Sequence, residues 1–136
     1  MTTYVLDTNI ISLLLRNSAV VRVRLDKALT SDNVILGCPI VWYEVRRGLL
    51  ACDAKQQIQV FDILFAAFNW QDYSQPDWYL ATQLWSQRRA QGHPIGDADL
   101  LIAAFARNRE AVLVTDNTKD FVDLGVATEN WAEPES

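Results

Sequence analysis

The sequence has 136 residues, half of them hydrophobic and 21% charged, with 12 Lys and Arg against 17 Asp and Glu for a formal charge of −5. That length suits one domain with a real apolar core, and the composition excludes disordered and collagen-like chains. The acidic balance excludes a protein that clamps nucleic acid by bulk positive charge, but not one that touches it through a local basic rim.

Met1–Asp7 carries no basic n-region and no small-residue cleavage site, so no signal peptide is expected there. Thr3–Leu6 is short, apolar and rich in β-formers, which predicts a buried strand. Asp7 or Thr8 then caps a helix to about Leu15, and Asn17-Ser18 breaks it. Val20–Leu29 predicts a second helix, bearing Arg22, Arg24 and Lys27. Asn33–Cys38 reads as a second buried strand, ended by Gly37 and Pro39. Val41–Leu50 and Lys55–Phe68 read as helices, the latter with Ile58, Phe61, Ile63, Leu64, Phe65 and Phe68 at helical spacing. Trp70–Tyr73 suits a short strand.

Ser74-Gln75-Pro76-Asp77 opens a helix to about Ala90, with Ser at the cap and an acid three residues on. Gln91-Gly92-His93-Pro94 stops it and places His93, the only histidine, in an exposed loop. Asp97–Arg107 is the next helix, Ala111–Thr115 a buried strand, Asp116–Asp120 a turn, and Val126–Trp131 a closing strand. The expected organisation is a single domain over residues 1–132 with a frayed tail at 133–136. No apolar run approaches the ~20 residues of a membrane span. Cys38 and Cys52 match no zinc spacing, and two cysteines in such a chain fit a reducing cytoplasm.

Strands alternating with helices predict an α/β fold with a mostly parallel sheet buried on both faces. In such sheets the working site lies beyond the carboxyl ends of the strands. That rule singles out five acids. Asp7 ends the first strand, Glu44 follows the second within the first turn of its helix, Asp97 and Asp99 open the apolar helix, and Asp116 follows the strand Val112–Thr115. Each alone is also what a helix N-terminus recruits. Together they form an all-oxygen donor set without His or Cys, the chemistry of Mg²⁺ or Mn²⁺. Residues i and i+2 do not share a helix face, so Asp99 is the better ligand of its pair and the role of Asp97 stays open.

These residues fall in four blocks: Tyr4-Val5-Leu6-Asp7-Thr8-Asn9, Val41–Leu49 around Glu44, Ile95–Ala104 around Asp97 and Asp99, and Val114–Phe121 around Asp116. In that order and spacing the chain resembles the PIN-domain ribonucleases, and among them the VapC-type toxins of bacterial toxin–antitoxin pairs. The resemblance implies a three-layer α/β/α fold around a short parallel sheet, and metal-dependent endonucleolytic cleavage of RNA with Mg²⁺ or Mn²⁺. It implies metal roles for Asp7 and Asp99 and an acidic site role for Glu44. Thr8, Asn9 and Thr115 stand beside the first ligand, and the fourth position falls to Asp116 or Asn117. It also implies a cytoplasmic protein with a cognate antitoxin as partner, and a homodimer. The helices after the first two strands, with Ile10, Leu13 and Leu14, are candidates for those surfaces.

Arg46 and Arg47, closely following Glu44, are candidates to grip RNA phosphates, as is Arg16. Trp42, Tyr43, Trp78 and Trp85 suit packing better than base stacking. Two other readings use the same residues: a non-catalytic module that keeps the fold to bind a partner, and a metal-dependent nuclease acting on DNA. A phosphoaspartyl enzyme fits less well, because the first strand ends Asp7-Thr8-Asn9 rather than Asp-x-Asp.

Overall fold

The computed structural model describes residues 1–135. Its elements in chain order are β1 (Thr3–Leu6), α1 (Thr8–Leu15), α2 (Ala19–Thr30), β2 (Val34–Gly37), α3 (Pro39–Ala51), α4 (Lys55–Ala66), β3 (Asn69–Trp70), α5 (Gln75–Ala90), α6 (Asp97–Asn108), β4 (Val112–Val114), a 3-10 turn (Thr118–Phe121) and β5 (Thr128–Glu129). The strands form one sheet in the order β3-β2-β1-β4-β5, and every neighbouring pair is parallel. The sheet is wholly parallel across the described residues, where a mostly parallel one was expected.

Strand β1 lies at the centre, with Tyr4 opposite Ile35 on one side and Val112 on the other. From β1 the chain winds outward to β2 and β3, then returns to β4 on the far side. Right-handed crossovers put the helices of those two halves on opposite faces. Helices α1 to α4 pack among themselves, and α5 packs on α6. The strand order reverses between β1 and β4, and the crevice beyond their carboxyl ends is where such sheets hold their ligands.

The core is apolar on both faces of the sheet. Val5, Leu6, Ile35, Leu36, Leu113 and Val114 are buried in the strands. Helix α6 buries Leu100 and every residue from Ile102 to Ala106, as its apolar circumference predicts. Gly37 ends β2 at a close approach: a Cβ there would lie 3.0 Å from the Phe65 ring and 3.3 Å from the Trp70 backbone.

Several boundaries differ from the sequence reading. Helix α3 begins at Pro39 rather than Val41, because proline lacks the N–H that a first helical residue leaves unused. Strand β3 is Asn69–Trp70, not Trp70–Tyr73. Tyr73 has left the sheet, and its hydroxyl donates to the Leu101 carbonyl at 2.7 Å. Strand β5 stops at Glu129, and Trp131 turns into the core against Tyr4, ring centres 5.1 Å apart. Ile10 and Leu14, candidates for a partner surface, face the core instead, where the period of α1 puts them. In the terminal segment Glu135 pairs with Arg24 at 3.2 Å and Lys27 at 2.8 Å, while Ser136 lies outside the described residues. Among the described residues no helix is long and apolar enough to cross a membrane.

Candidate functional site

Asp7 is the first residue beyond β1. Its N–H donates to the Val114 carbonyl at 2.9 Å, which carries the β1–β4 pairing one step further and sets Asp7 beside Thr115. Its carboxylate caps α1 by accepting from the Ile10 N–H at 3.2 Å. The side chain is almost closed off, at 7% exposure. Burial pushes its pKa up to about 6, and the charge of Asp116 adds to the rise. Hydrogen bonds from Thr115 and from the backbone of Ile10 and Asn9 hold back a larger shift.

The other acids gather around the same crevice. Glu44 is the sixth residue of α3, two residues deeper than expected because the helix starts at Pro39 and not at Val41. Thr8 donates its hydroxyl to Glu44 Oε1 at 2.7 Å. Asn9 Nδ2 donates to Asp116 Oδ1 at 3.3 Å. The Asn117 N–H donates to the Thr115 hydroxyl at 3.0 Å, which tightens the turn after β4. Asp99, half-buried at the mouth of α6, has its pKa raised by burial and by the negative charges of Glu44 and Asp120.

The electrostatic links among the acids fall in two groups. Asp7 feels Asp116, and Asp99 feels Glu44 and Asp120. The structure thus brings Asp7, Thr8, Asn9, Glu44, Asp99, Thr115, Asp116 and Asn117 to one edge of the sheet. It also adds Asp120, which sequence reasoning left inside a turn. The 3-10 turn carries Asp120 back toward Asp99, and the Asn117 side-chain amide donates to its carboxylate. The available signal was an acid three residues after an Asn in the loop that follows a buried strand.

Two expected residues go elsewhere. Gly96 is the N-cap of α6, so Asp97 is the first helical residue and points away from Asp99. It lines a groove with Trp78, Trp85, Leu100 and Leu101. Arg46 is bound on the far side of α3, with both carboxylate oxygens of Asp62 at 3.1 and 3.2 Å, and lies over the Trp42 ring. Arg47, one residue on, faces the crevice, with a guanidinium nitrogen 3.8 Å from Glu44 Oε2. Arg88 of α5 donates to the carbonyls of His93, Asp120 and Val122.

Among the described residues no three Asp, Glu, His or Cys side chains are already drawn together as ligands. Bare carboxylates repel, and Asp7, Glu44, Asp116 and Asp120 have taken local donors: the Ile10 N–H, Thr8, Asn9 and Asn117 in turn. The donor chemistry still fits a hard divalent cation. It is all oxygen, and two of its members bear raised pKa values partly because other acids face them. A cation placed among them removes that repulsion.

Comparison with known proteins agrees with this fold. The PIN domain profile matches residues 4–126. Ribonuclease VapC1 of Haemophilus influenzae (strain R2866) is 32% identical over 121 residues, 87% of this chain and 89% of that protein. A crystal structure of VapBC2 from Rickettsia felis, bound to a DNA fragment from their promoter, superimposes with a TM-score of 0.86 at 29% identity, over 96% of this chain and 99% of that one. A toxin–antitoxin complex from Klebsiella pneumoniae gives a TM-score of 0.72 at 26% identity, over 97% of this chain and 99% of that one.

Proposed function

Because this chain belongs to the PIN-domain family, and within it to the VapC ribonucleases, we propose that it is the toxin endoribonuclease of a toxin–antitoxin pair. The observation that carries the reading is the acidic crevice at the reversal between β1 and β4, where Asp7 faces the charge of Asp116 and Asp99 faces those of Glu44 and Asp120. So many acids facing one another are costly unless a cation joins them.

Asp7, Glu44 and Asp99, with Asp116 or Asp120, are the residues that would hold Mg²⁺ or Mn²⁺. When bound, the cation supplies Lewis acidity toward a phosphodiester and toward water. The rest falls to the chain. Thr8 fixes the Glu44 carboxylate, Asn9 fixes that of Asp116, and Asn117 fixes that of Asp120. Thr115 and the first turn of α1 orient Asp7. Arg47 offers a guanidinium to a phosphate at the rim. Hydrolysis then leaves a 5′-phosphate and a 3′-hydroxyl.

The likeness to toxin–antitoxin complexes supports a cognate antitoxin as partner. A homodimer acting in the cytoplasm and a single functional domain over residues 1–132 belong to the same proposal. The test is sequencing of RNA ends in cells after induction, with Asp7→Asn as control. New 5′ ends at discrete positions in the wild type, absent in the variant, support the reading. Identical ends in both would overturn it.

A further inference from the structure

Helix α3 presents a second feature one residue from the acidic crevice. Tyr43 and Arg47 are four residues apart and so share one face of the helix. The Arg47 guanidinium lies 4.9 Å from the centre of the Tyr43 ring. The same guanidinium reaches Glu44 Oε2 at 3.8 Å. An aromatic face, an exposed cation and the edge of the carboxylate cluster therefore follow one another along a single turn.

Of the exposed aromatics with a cation over the ring, Tyr43 is the one whose cation also reaches an acid of the crevice, Glu44. Trp42 and Trp70 pack edge to face, Trp78 leans on Tyr73, and Trp85 carries Arg89. Tyr43 is 53% exposed, and its aromatic-face partner is Arg47, itself 58% exposed in its side chain. An exposed ion pair such as Arg47–Glu44 adds little to stability, so the guanidinium is free to exchange its carboxylate for a phosphate.

We propose that Tyr43 and Arg47 form a nucleotide shelf, on which Tyr43 stacks one unpaired base of the RNA and Arg47 takes an adjoining phosphate, next to the strand position held in the crevice. The proposal rests on the ribonuclease reading above. It commits the shelf to single-stranded RNA, because only unstacked bases present a free face to an aromatic ring at a protein surface. The cation beside the ring suits the phosphodiester that accompanies each base. Substrate choice then depends on an unpaired base at a fixed distance from the cut.

The experiment is fluorescence anisotropy with the purified full chain in chelator, where the RNA stays intact. The probe is a short fluorescein-labelled single-stranded RNA, with versions abasic at each position in turn. Tyr43→Ala is expected to weaken binding about tenfold, within the range of one lost stacking contact, while Tyr43→Phe binds as the wild type does. Arg47→Ala lowers the slope of log affinity against log salt by about one. One abasic position erases the difference between wild type and Tyr43→Ala.

Equal binding by Tyr43→Ala, or weakening by Tyr43→Phe to the same extent, would overturn the shelf. So would a Tyr43→Ala variant that changes only self-association or binding to a protein partner. Thermal melting of each variant confirms that it folds. The two readings fail separately. If wild type cuts no RNA with Mg²⁺ or Mn²⁺ yet Tyr43 still governs binding, the ribonuclease reading fails alone. If it cuts and Tyr43 has no effect, the shelf fails alone.

Discussion

The Thr8 hydroxyl meets the Glu44 carboxylate at 2.7 Å, joining the first residue of α1 to the second turn of α3. Both residues stand beyond the carboxyl ends of strands, and the bond sets the direction in which Glu44 faces Asp99. Thr8→Val keeps the shape and removes the donor. Cleavage is expected to fall about tenfold in kcat/KM, the effect of losing one hydrogen bond to a charged group. Thr8→Ser should stay near wild type. Steady-state kinetics on a defined RNA checks both.

Asp7 carries a charge where the fold disfavours one. Its pKa in the folded chain is about 6, against 3.8 for an ordinary aspartate, so the folded state binds the proton more tightly than the unfolded state. The resulting stabilisation is fully present below about pH 3.8 and is lost as pH rises through 6. Asn keeps the N-cap of α1 without the charge. In chelator at pH 8, Asp7→Asn should therefore be more stable than wild type by roughly 1–3 kcal/mol, with the difference vanishing below pH 4. Denaturant unfolding at the two pH values measures it.

Asp77 shows the opposite case, at the far end of α6. It is 1% exposed and receives both arms of Arg109 at 2.9 Å, together with Asn108 at 2.9 Å. Burial alone would raise its pKa, but the hydrogen bonds from Arg109, the Ser74 backbone and Asn108, with the charge of Arg109, hold it at about 2. Its contribution to stability is present above about pH 3.8 and is lost as pH falls toward 2. Asp77→Asn should cost roughly 2–4 kcal/mol at pH 7, since it leaves Arg109 without its carboxylate, and much less near pH 2. Urea titrations across that range read the difference.

Arg88 ties the turn of Asp120 to the loop before α6. It donates to the carbonyls of His93 at 2.8 Å, Val122 at 3.1 Å and Asp120 at 3.3 Å. Arg88→Gln should cost only about 1 kcal/mol in stability but speed amide hydrogen exchange through residues 118–123. Mn²⁺ affinity should fall with it if Asp120 is a ligand.

Much of this architecture is legible in the residues. Apolar runs such as Val34-Ile35-Leu36 and the apolar circumference of α6 specify buried elements, and the carboxyl-edge rule gathers Asp7, Glu44, Asp99 and Asp116. What escapes is direction around a helix or turn. Arg46 and Arg47 are equivalent as letters, yet one turns to Asp62 and the other to Glu44. Asp97 and Asp99 diverge because Gly96, not Asp97, caps α6. Asp120 joins the site only through the 3-10 turn, whose short-range geometry leaves no periodic trace. The two-residue β3 is fixed by pairing with Leu36 and Gly37, a tertiary contact and not a local preference. The acids Asp7, Glu44, Asp99, Asp116 and Asp120 equal the whole formal charge of −5, so the acidity seen first is the signature of one crevice.

The most direct measurement is cleavage of a defined single-stranded RNA by the purified chain with Mg²⁺ or Mn²⁺, in excess chelator, and by Asp7→Asn with the same ions. The account predicts cuts with 5′-phosphate and 3′-hydroxyl ends in the first case alone. Undiminished cleavage in chelator, or by Asp7→Asn, would contradict it.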